Sequence, residues 1–328
     1  GKIFLEVFDE DEKEDYEYYY YINPNAPIAL TYYPNYPDLI DNNLHKVPLS
    51  MFTEDKEFVC EVIKDFFDKG NTEKIKENYI KNKKMSLDEI KKTEEFKDFR
   101  GKLAFLYEAI GGTFSHDIAY PWVLYLFNGM TKEEVQKLAK EANDYGIGDK
   151  LGKYTIESSD KLLGEAGKIV YEYKSGLRTQ PEIANLFHEF QKNGIEVYIV
   201  SASLEDIVKV FASDKSYGYN LKPENVYGMR LEMNKDKYLS QYKKGYPQTQ
   251  TKGKVETINK FLKPKHGGKD PILVAGDSGG DENMLTEYKG TKVLLLMKRK
   301  GKLDDVAKDK RALIQTRNEQ TGLLVPEN

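Results

Sequence analysis

From residue 181 onward, longer segments with helical spacing of hydrophobic residues alternate with short apolar runs, and this alternation limits the possible folds more than any other feature. Helices are predicted at residues 181–193, 204–212, 254–262 and 282–287, and strands at residues 196–202, 226–233, 272–275 and 293–297. Such alternation is typical of a parallel sheet with helices on its faces. The sequence therefore predicts an α/β protein, in which ligands bind beyond the carboxyl ends of the strands.

The N-terminal part of the chain has a different character. A short apolar run at residues 2–8 has the length of a buried strand and is followed by an acidic cluster at residues 9–12. Residues 15–50 are rich in Tyr, Asn and Pro, which break regular elements. We expect a long irregular excursion there, with a short strand at residues 27–31.

Helical spacing begins at Thr53 and stops at Gly70, a glycine suited to a helix C-terminus. Thr131 is a residue of the type that caps helix N-termini, and acidic residues follow it. Further helices are predicted at residues 86–94, 99–110 and 132–145. Residues 51–165 should therefore be mostly helical.

Length and charge narrow the class of protein. The 328 residues exceed the usual domain of roughly 100 to 200 residues, so we expect one large core with an insertion, or two domains. The 24 Tyr and 15 Phe can bury much area, which argues against disorder. The net charge of -4 argues against a nucleic-acid partner, because such binding depends on concentrated positive charge.

The single cysteine, Cys60, excludes an internal disulfide framework and a thiolate zinc cluster, and the 4 histidines are scattered. No apolar run approaches the roughly 20 residues of a membrane span, and no signal or transit peptide opens the chain. We therefore expect a soluble protein. Because the first residue is Gly and not Met, an upstream signal could have been removed, so the compartment stays open: cytoplasmic, or exported with the signal removed. Oligomeric state is left open.

The strongest local signal is the apolar strand that runs into the sequence GDSGGD, residues 276–281. Asp277 and Asp281 lie four residues apart at the predicted strand end, where two carboxylates suit Mg²⁺. The glycines allow backbone to approach a ligand closely. The alternative is an acidic turn in which Asp281 caps the next helix, and the spacing alone leaves both interpretations open.

Two weaker signals are typical of anion binding. In VYIVSAS, Ser201 and Ser203 end a predicted strand before a helix whose N-terminal amides could bind a phosphate. Lys254 opens a predicted helix after Gly253, where its ammonium could neutralise a phosphate. Each signal also has an ordinary structural interpretation, because serine is a common helix cap and an isolated lysine is usually solvated.

Taken in order, Ser201, Lys254 and GDSGGD resemble motifs two, three and four of the haloacid dehalogenase superfamily over about residues 176–300. The stretches GLRTQPEI, VYIVSASLEDIV, NVYGM, GYPQTQTKGKVETI and VAGDSGGDENML look like its phosphoserine-phosphatase-like branch, which includes phosphorylcholine-phosphatase-type enzymes. The resemblance implies a Rossmann-like parallel-sheet core at residues 1–14 and 176–328. It also implies an inserted, mostly helical cap at residues 15–175, which would contain AYPWVLYLFNGMT, residues 119–131.

The activity that the resemblance implies is Mg²⁺-dependent hydrolysis of a small phosphorylated metabolite through an aspartyl-phosphate. Ser201 and Ala202 would bind the phosphate, and Lys254 would clamp the nucleophile and the phosphate. Asp277 would hold Mg²⁺, directly or through water, with Asp281 in support. These roles are carried over from the motifs and not from the spacing of the residues.

Motif one departs from the family pattern. In IFLEVFDEDEK, Asp9 would be the nucleophile and Asp11 the acid and base, and both would approach the metal, but Lys13 stands where the family has Thr or Val. Neighbouring carboxylates raise one another's pKa and can recruit metal without positioning a phosphate. The alternative is that the acidic run is a solvated turn and the true motif is lost or upstream.

The sequence therefore leaves three functions open: a phosphatase, a catalytically silent relative that serves as a binding or surface protein, and a phosphotransferase.

Trp122 with its neighbouring aromatic residues could form a cage for a quaternary ammonium group, although helical spacing favours a core role. Arg178 could bind a substrate anion or form a surface ion pair.

Overall fold

The computed structural model describes residues 87–113, 115–163, 167–298, 303–318 and 320–326, and the backbone of four strands nearer the N-terminus. These residues form two compact units. The first contains the described residues up to Ala119 together with Lys153–Lys174, and the second contains Tyr120–Gly152 and the described residues from Ser175 onward. The helix predicted between Thr53 and Gly70 lies outside the described residues.

The strands of the first unit form one sheet. In chain order they are β1 (Phe4–Val7), β2 (Tyr18–Ile22), β3 (Leu30–Pro34), β4 (His45–Val47), β5 (Gly152–Glu157) and β6 (Val170–Ser175). The sheet order is β1-β2-β3-β6-β5, and β4 pairs with β2. Strands β1 and β2 are antiparallel, whereas β3 and β6 are parallel. The apolar run at residues 2–8 thus contains a strand, whose described neighbour is β2, and its assignment to the core stays a prediction.

Strand β5 was not expected, because residues 51–165 were predicted to be mostly helical. Ile156 is the buried side chain of this strand, and the other five are exposed or half-buried. Strand prediction depends on alternation of apolar and polar residues, so a strand with a single buried position gives a weak signal.

Helices α1 (Leu87–Ile90), α2 (Glu94–Thr113) and α3 (His116–Leu124) follow. Helix α2 begins five residues before the predicted start at residue 99, because the Thr93 hydroxyl accepts a hydrogen bond from the Phe96 amide at 3.3 Å. Its buried apolar face consists of Phe105, Leu106, Ala109 and Ile110. A buried ion pair between Asp98 and Lys102, 3.1 Å long, lies on the same helix.

The second unit contains the alternating elements that the sequence predicts. Its helices are α4 (Lys132–Gly148), α5 (Pro181–Lys192), α6 (Glu205–Ser213), α7 (Lys252–Thr257) and α8 (Glu282–Glu287). Thr131 caps α4 as expected: its hydroxyl accepts from the Glu134 amide at 3.2 Å, and its own amide donates to the Glu134 carboxylate at 2.8 Å. Helix α7 begins at Lys252, two residues before the predicted start, so Lys254 lies in its first turn and does not open it. The helix continues as a π-helical turn, Ile258–Leu262, which ends at the predicted residue.

The strands of the core are parallel. Strands β7 (Ile199–Leu204) and β8 (Val226–Met229) pair in parallel, and so do β11 (Leu273–Gly276), β12 (Val293–Lys298) and β13 (Ala312–Thr316) in that order. The chain is therefore an α/β protein with parallel strands, as the alternation predicts. Strand β13 was missed, because its side chains are exposed or half-buried.

The strand predicted at residues 226–233 is interrupted at Arg230. Beyond it, β9 (Leu231–Asn234) forms an antiparallel hairpin with β10 (Lys237–Tyr242). The hairpin turns at Lys235, whose φ is 55°, in the left-handed region. Five of the six β10 side chains are exposed or half-buried and only Tyr238 is buried, so the sequence carries little alternation there.

The described residues of the second unit form four apolar clusters, of which two are larger than the others. One lies between the strands and helices of the C-terminal half and includes Tyr227, Val274, Leu285, Leu294 and Leu296. The other consists of Leu124, Val135, Leu204, Met229, Leu231 and Tyr238. No helix among the described residues is long and apolar enough to span a bilayer.

The buried ion pair of α2 generates the first prediction. Replacing Lys102 with Met removes one partner of a desolvated pair, so the free energy of unfolding should fall by about 3 to 5 kcal/mol. Lys97→Met on the same helix is the matched control, because Lys97 pairs with Glu94 near the surface and should cost less than about 1 kcal/mol. Urea denaturation of both variants measures the difference, and equal losses would contradict the buried pair.

Candidate active site

Strand β7 leaves its regular pairing at Ser201. Ile199 and Val200 pair with Val226 and Tyr227, and the next pair joins Leu204 to Met229. Residues 201–203 therefore stand opposite one residue of β8, Gly228. Such a bulge bends the strand and redirects side chains, and bulges are frequent next to active sites.

Gly228 is the residue that allows this bulge to lie against β8. A Cβ atom added to it would lie 2.5 Å from the Cα of Glu205 and 2.7 Å from the Ser203 carbonyl oxygen. Real Cβ atoms do not approach backbone that closely, so only glycine fits without a shift. Within the bulge, the Ser203 amide donates to the Ser201 hydroxyl oxygen at 3.2 Å, and Ala202 is half-buried.

A tight loop before α7 contacts both the candidate phosphate-binding bulge and the candidate metal-binding turn. The Thr249 hydroxyl donates to the Ser201 carbonyl oxygen, and the Thr251 amide donates to the Gly280 carbonyl oxygen at 3.1 Å. Thr249 is fully buried, and Thr251 has φ 42°, which is an unusual conformation for a β-branched residue. One loop thus ties the β7 bulge to the GDSGGD turn.

Lys254 and Asp281 form the central pair of the site. The Lys254 ammonium lies 2.6 Å from Oδ1 of Asp281, which is 6% exposed. Oδ2 of Asp281 accepts hydrogen bonds from the Asp277 amide at 2.9 Å and the Ser278 amide at 3.3 Å. The carboxylate thereby fixes both the lysine and the turn that carries Asp277.

The glycine before this turn is also required. A Cβ atom on Gly276 would lie 2.5 Å from the Cβ of Asp281, so the strand end and the buried carboxylate touch directly. In the sequence, Asp281 was assigned to a metal site or to a helix cap. In the structure it closes a capping box with Ser278 and also holds Lys254.

The carboxylates of Asp277 and Asp281 are the candidate Mg²⁺ ligands among the described residues of the site. Both oxygens of Asp281 already accept hydrogen bonds, so this residue fits a supporting role and not a direct ligand. Across the described residues, no three His, Cys, Asp or Glu side chains come together as a metal cluster. Within the GDSGGD turn, Asp277 is the other carboxylate that the sequence assigns to the metal, and its role stays a prediction. Asp9 and Asp11 lie outside the described residues.

Arg178 and three of the aromatic residues near Trp122 have structural roles. Arg178 donates to the carbonyl oxygens of Ile147 at 3.2 Å and Leu177 at 2.6 Å, which ties it to the C-terminal end of α4. Tyr120, Tyr125 and Phe127 pack against the cluster that contains Leu124 and Val135. The aromatic stretch at residues 119–131 is therefore mainly a core element.

A buried acidic residue after the bulge was missed in the sequence. Glu205 is 5% exposed and binds Arg230 Nε at 2.7 Å and the Lys209 ammonium at 2.6 Å. Burial is the largest influence on Arg230 and by itself would lower its pKa, but the hydrogen bond to Glu205 and the negative charge of that carboxylate together raise the pKa above its ordinary value. Burial also raises the pKa of Tyr246 above its ordinary value. An acidic first turn is ordinary in a helix, so the sequence offered no signal that Glu205 is buried.

The chain is similar to known proteins over most or part of its length, but no family model matches it. A conserved, functionally unknown protein from Anaerococcus prevotii is 33% identical, covers 78% of this chain and 71% of its own, and has a TM-score of 0.69. The chain belongs to the same family as that protein and shares its fold.

A curated enzyme matches a shorter segment. Phosphorylcholine phosphatase of Pseudomonas aeruginosa is 33% identical over 120 residues, which are 34% of this chain and 29% of that enzyme. A phosphoserine phosphohydrolase-like protein from Francisella tularensis is 18% identical, with a TM-score of 0.31 over 41% of this chain and 58% of its own. The first match supports the resemblance to the haloacid dehalogenase superfamily, and the second is too distant to add to it.

The loop before α7 generates the second prediction. A Cβ atom on Gly253 would lie 1.5 Å from the Gln248 carbonyl oxygen, so Gly253→Ala should force the backbone to shift and lower the free energy of unfolding by about 1 to 3 kcal/mol. Gly280→Ala is the control, because its nearest neighbour would be the Ser278 hydroxyl oxygen at 3.6 Å, an ordinary contact. Chemical denaturation compares the two, and a Gly253 variant as stable as the Gly280 variant would disprove the close approach.

Proposed function

We propose that this protein is a Mg²⁺-dependent phosphomonoester hydrolase that acts on a small phosphorylated metabolite through an aspartyl-phosphate. The observation that carries the proposal is the convergence of the Ser201 bulge, Lys254 and the Asp277 turn through one loop and one buried carboxylate. The name of one relative, a phosphatase that matches 34% of this chain, agrees with it.

Lys254 is proposed to neutralise the phosphate and to orient the attacking carboxylate. Its hydrogen bond to Asp281 fixes the ammonium without cancelling its ability to donate, because an ammonium carries three donors. Ser201 and Ala202, in the bulge, are proposed to contact the phosphate oxygens. A positive charge and donors held rigidly stabilise the charge that develops during transfer.

Asp9 is the proposed nucleophile and Asp11 the proposed acid and base. The Asp9 carboxylate would attack phosphorus while the ester P–O bond breaks and Asp11 protonates the leaving alcohol. Water, deprotonated by Asp11, would then attack the aspartyl-phosphate, release phosphate and restore Asp9. This order balances the protons, because Asp11 gives one in the first step and takes one in the second.

Asp277, Asp9 and Asp11 are the residues that we propose would hold Mg²⁺. When bound, it would neutralise phosphate charge as a Lewis acid. The fit rests on the carboxylate of Asp277 following a parallel strand and on the turn held by Asp281. Asp281 would fix that turn without ligating the metal.

The proposed chemistry requires a further strand, which would carry Asp9 and Asp11 into the core. Among the described strands, β7 pairs with β8 alone and β11 with β12 alone, so each has one edge without a described partner. We propose that residues 1–14 belong to this core with residues 176–328, and that residues 15–175 form the inserted cap. This would require β1 to leave its pairing with β2.

The β1–β2 pairing is also the observation that favours a second function. If β1 stays with β2, Asp9 does not follow a core strand, and the chain would be a silent relative that binds phosphorylated ligands without hydrolysing them. A phosphotransferase would use the same intermediate with an alcohol in place of water, and no described contact favours it.

The third prediction concerns turnover. The wild-type protein should release phosphate from a panel of small phosphomonoesters with Mg²⁺ and lose this activity with EDTA. Asp9→Asn should reduce kcat by several orders of magnitude, because the remaining groups bind substrate but cannot form the intermediate. Asp277→Asn should raise the Mg²⁺ concentration required. Full activity in Asp9→Asn would move the nucleophile elsewhere, and inert wild type that still binds phosphate would favour the silent relative.

The fourth prediction separates the two lysines at the start of α7. Lys254→Ala should weaken binding of inorganic phosphate about 10-fold or more, because it removes a charge held in a partly buried pair. Lys252→Ala should change binding less than about 2-fold, since Lys252 is exposed and screened. Calorimetric titration of both variants tests this. Equal losses would show that Lys254 does not face the phosphate.

A further inference from the structure

Arg230 lies at the same sheet edge as the Ser201 bulge. It directly follows β8, and Met229, the last residue of β8, pairs with Leu204 at the end of β7. Because the two strands are parallel, their carboxyl ends meet at one edge, where ligands of open parallel sheets bind. The first residue after β8 is therefore placed next to the candidate phosphate-binding segment.

A buried carboxylate binds the guanidinium of Arg230 through its Nε atom. Its Nε donates to Oε2 of Glu205 at 2.7 Å, and the same oxygen accepts from the Gly228 amide at 3.3 Å. Oε1 of Glu205 accepts from Lys209 at 2.6 Å, so the buried carboxylate cannot rotate without losing several partners. The backbone of Arg230 is fixed too, because its carbonyl oxygen accepts from the Lys243 amide at 2.9 Å.

The plane of the guanidinium is also fixed. Its central carbon lies 4.4 Å from the centroid of the Tyr246 ring, which itself stacks on Phe261 at 5.4 Å. Tyr246 belongs to the segment that leads to Thr249, the residue bonded to Ser201. Tyr246, the ring that contacts Arg230, and the loop that contacts Ser201 thus belong to one continuous segment of the chain.

The two terminal nitrogens of Arg230 make no hydrogen bond to a residue that the structure describes, and the side chain is 37% exposed. An arginine oriented by a buried carboxylate and an aromatic ring keeps a planar fork of donors that matches a carboxylate or phosphate in a bidentate way. A lysine at this position could not supply the fork.

We propose that Arg230 binds a second anionic group of the substrate, beside the phosphate that is hydrolysed. This inference rests on the proposed function and names its substrate class: phosphomonoesters that carry a carboxylate or a second phosphate. It predicts discrimination against esters whose alcohol is neutral or cationic. Glu205 is a positioning residue in this arrangement, since it acts through Arg230.

Two esters that differ at one group test the proposal. 3-Phosphoglycerate carries a carboxylate where glycerol 3-phosphate carries a hydroxymethyl group, so the ratio of their kcat/KM values reports the second anion site. The wild type should prefer 3-phosphoglycerate, and Arg230→Gln should reduce that preference about 10- to 100-fold, the effect of losing a charge-assisted pair. Arg230→Lys should restore only part of it.

Lys209→Met is the matched control. Lys209 contacts the same buried carboxylate from the other oxygen, so a merely structural effect would appear there as well, but the substrate ratio should not change. Equal kcat/KM for the two esters in the wild type, or an unchanged ratio in Arg230→Gln, would overturn the inference while leaving the hydrolase proposal standing.

If neither ester is hydrolysed, calorimetry with the same two compounds separates the claims. Tighter binding of 3-phosphoglycerate that is lost in Arg230→Gln would support the anion site and count against the hydrolase. Equal binding of the two esters, or no binding of either, would overturn the site itself.

Discussion

The candidate site depends on one buried carboxylate, Asp281, and its pair with Lys254. A pair at 2.6 Å with little exposure to water is favourable only if the remaining lone pairs are also satisfied, and here two backbone amides satisfy them. The same group therefore fixes a lysine from one helix and a turn from the next strand. Removing it would leave the ammonium desolvated and the turn without its anchor.

Close backbone approaches explain why glycine stands at three positions around this pair. Gly228, Gly253 and Gly276 each face a backbone or Cβ atom at a distance that no side chain tolerates. These contacts lie at the bulge, before the helix and before the turn. The site is consequently built from closely packed main-chain segments. A side chain at any of these three positions would force the segments apart.

The alternation of helix and strand from residue 181 predicted the parallel core, and the bounds of α8 agree with the expected residues 282–287. The weakly buried strands β5, β10 and β13 were missed, because their side chains give little alternation. Ser201, Lys254 and Asp277 were selected from motif order, yet the Thr249 contact and the burial of Glu205 depend on tertiary packing. No pattern within a short window records such contacts, so they were visible only in the structure.

The contacts that assemble the site join residues far apart in the chain. Thr249 reaches back 48 residues to Ser201, and Lys254 reaches forward 27 residues to Asp281. Closing such loops costs chain entropy that local contacts do not, so we expect these bonds to form after the strands on both sides are in place. We expect a partly folded chain to contain local helices and strands without the pair between Lys254 and Asp281.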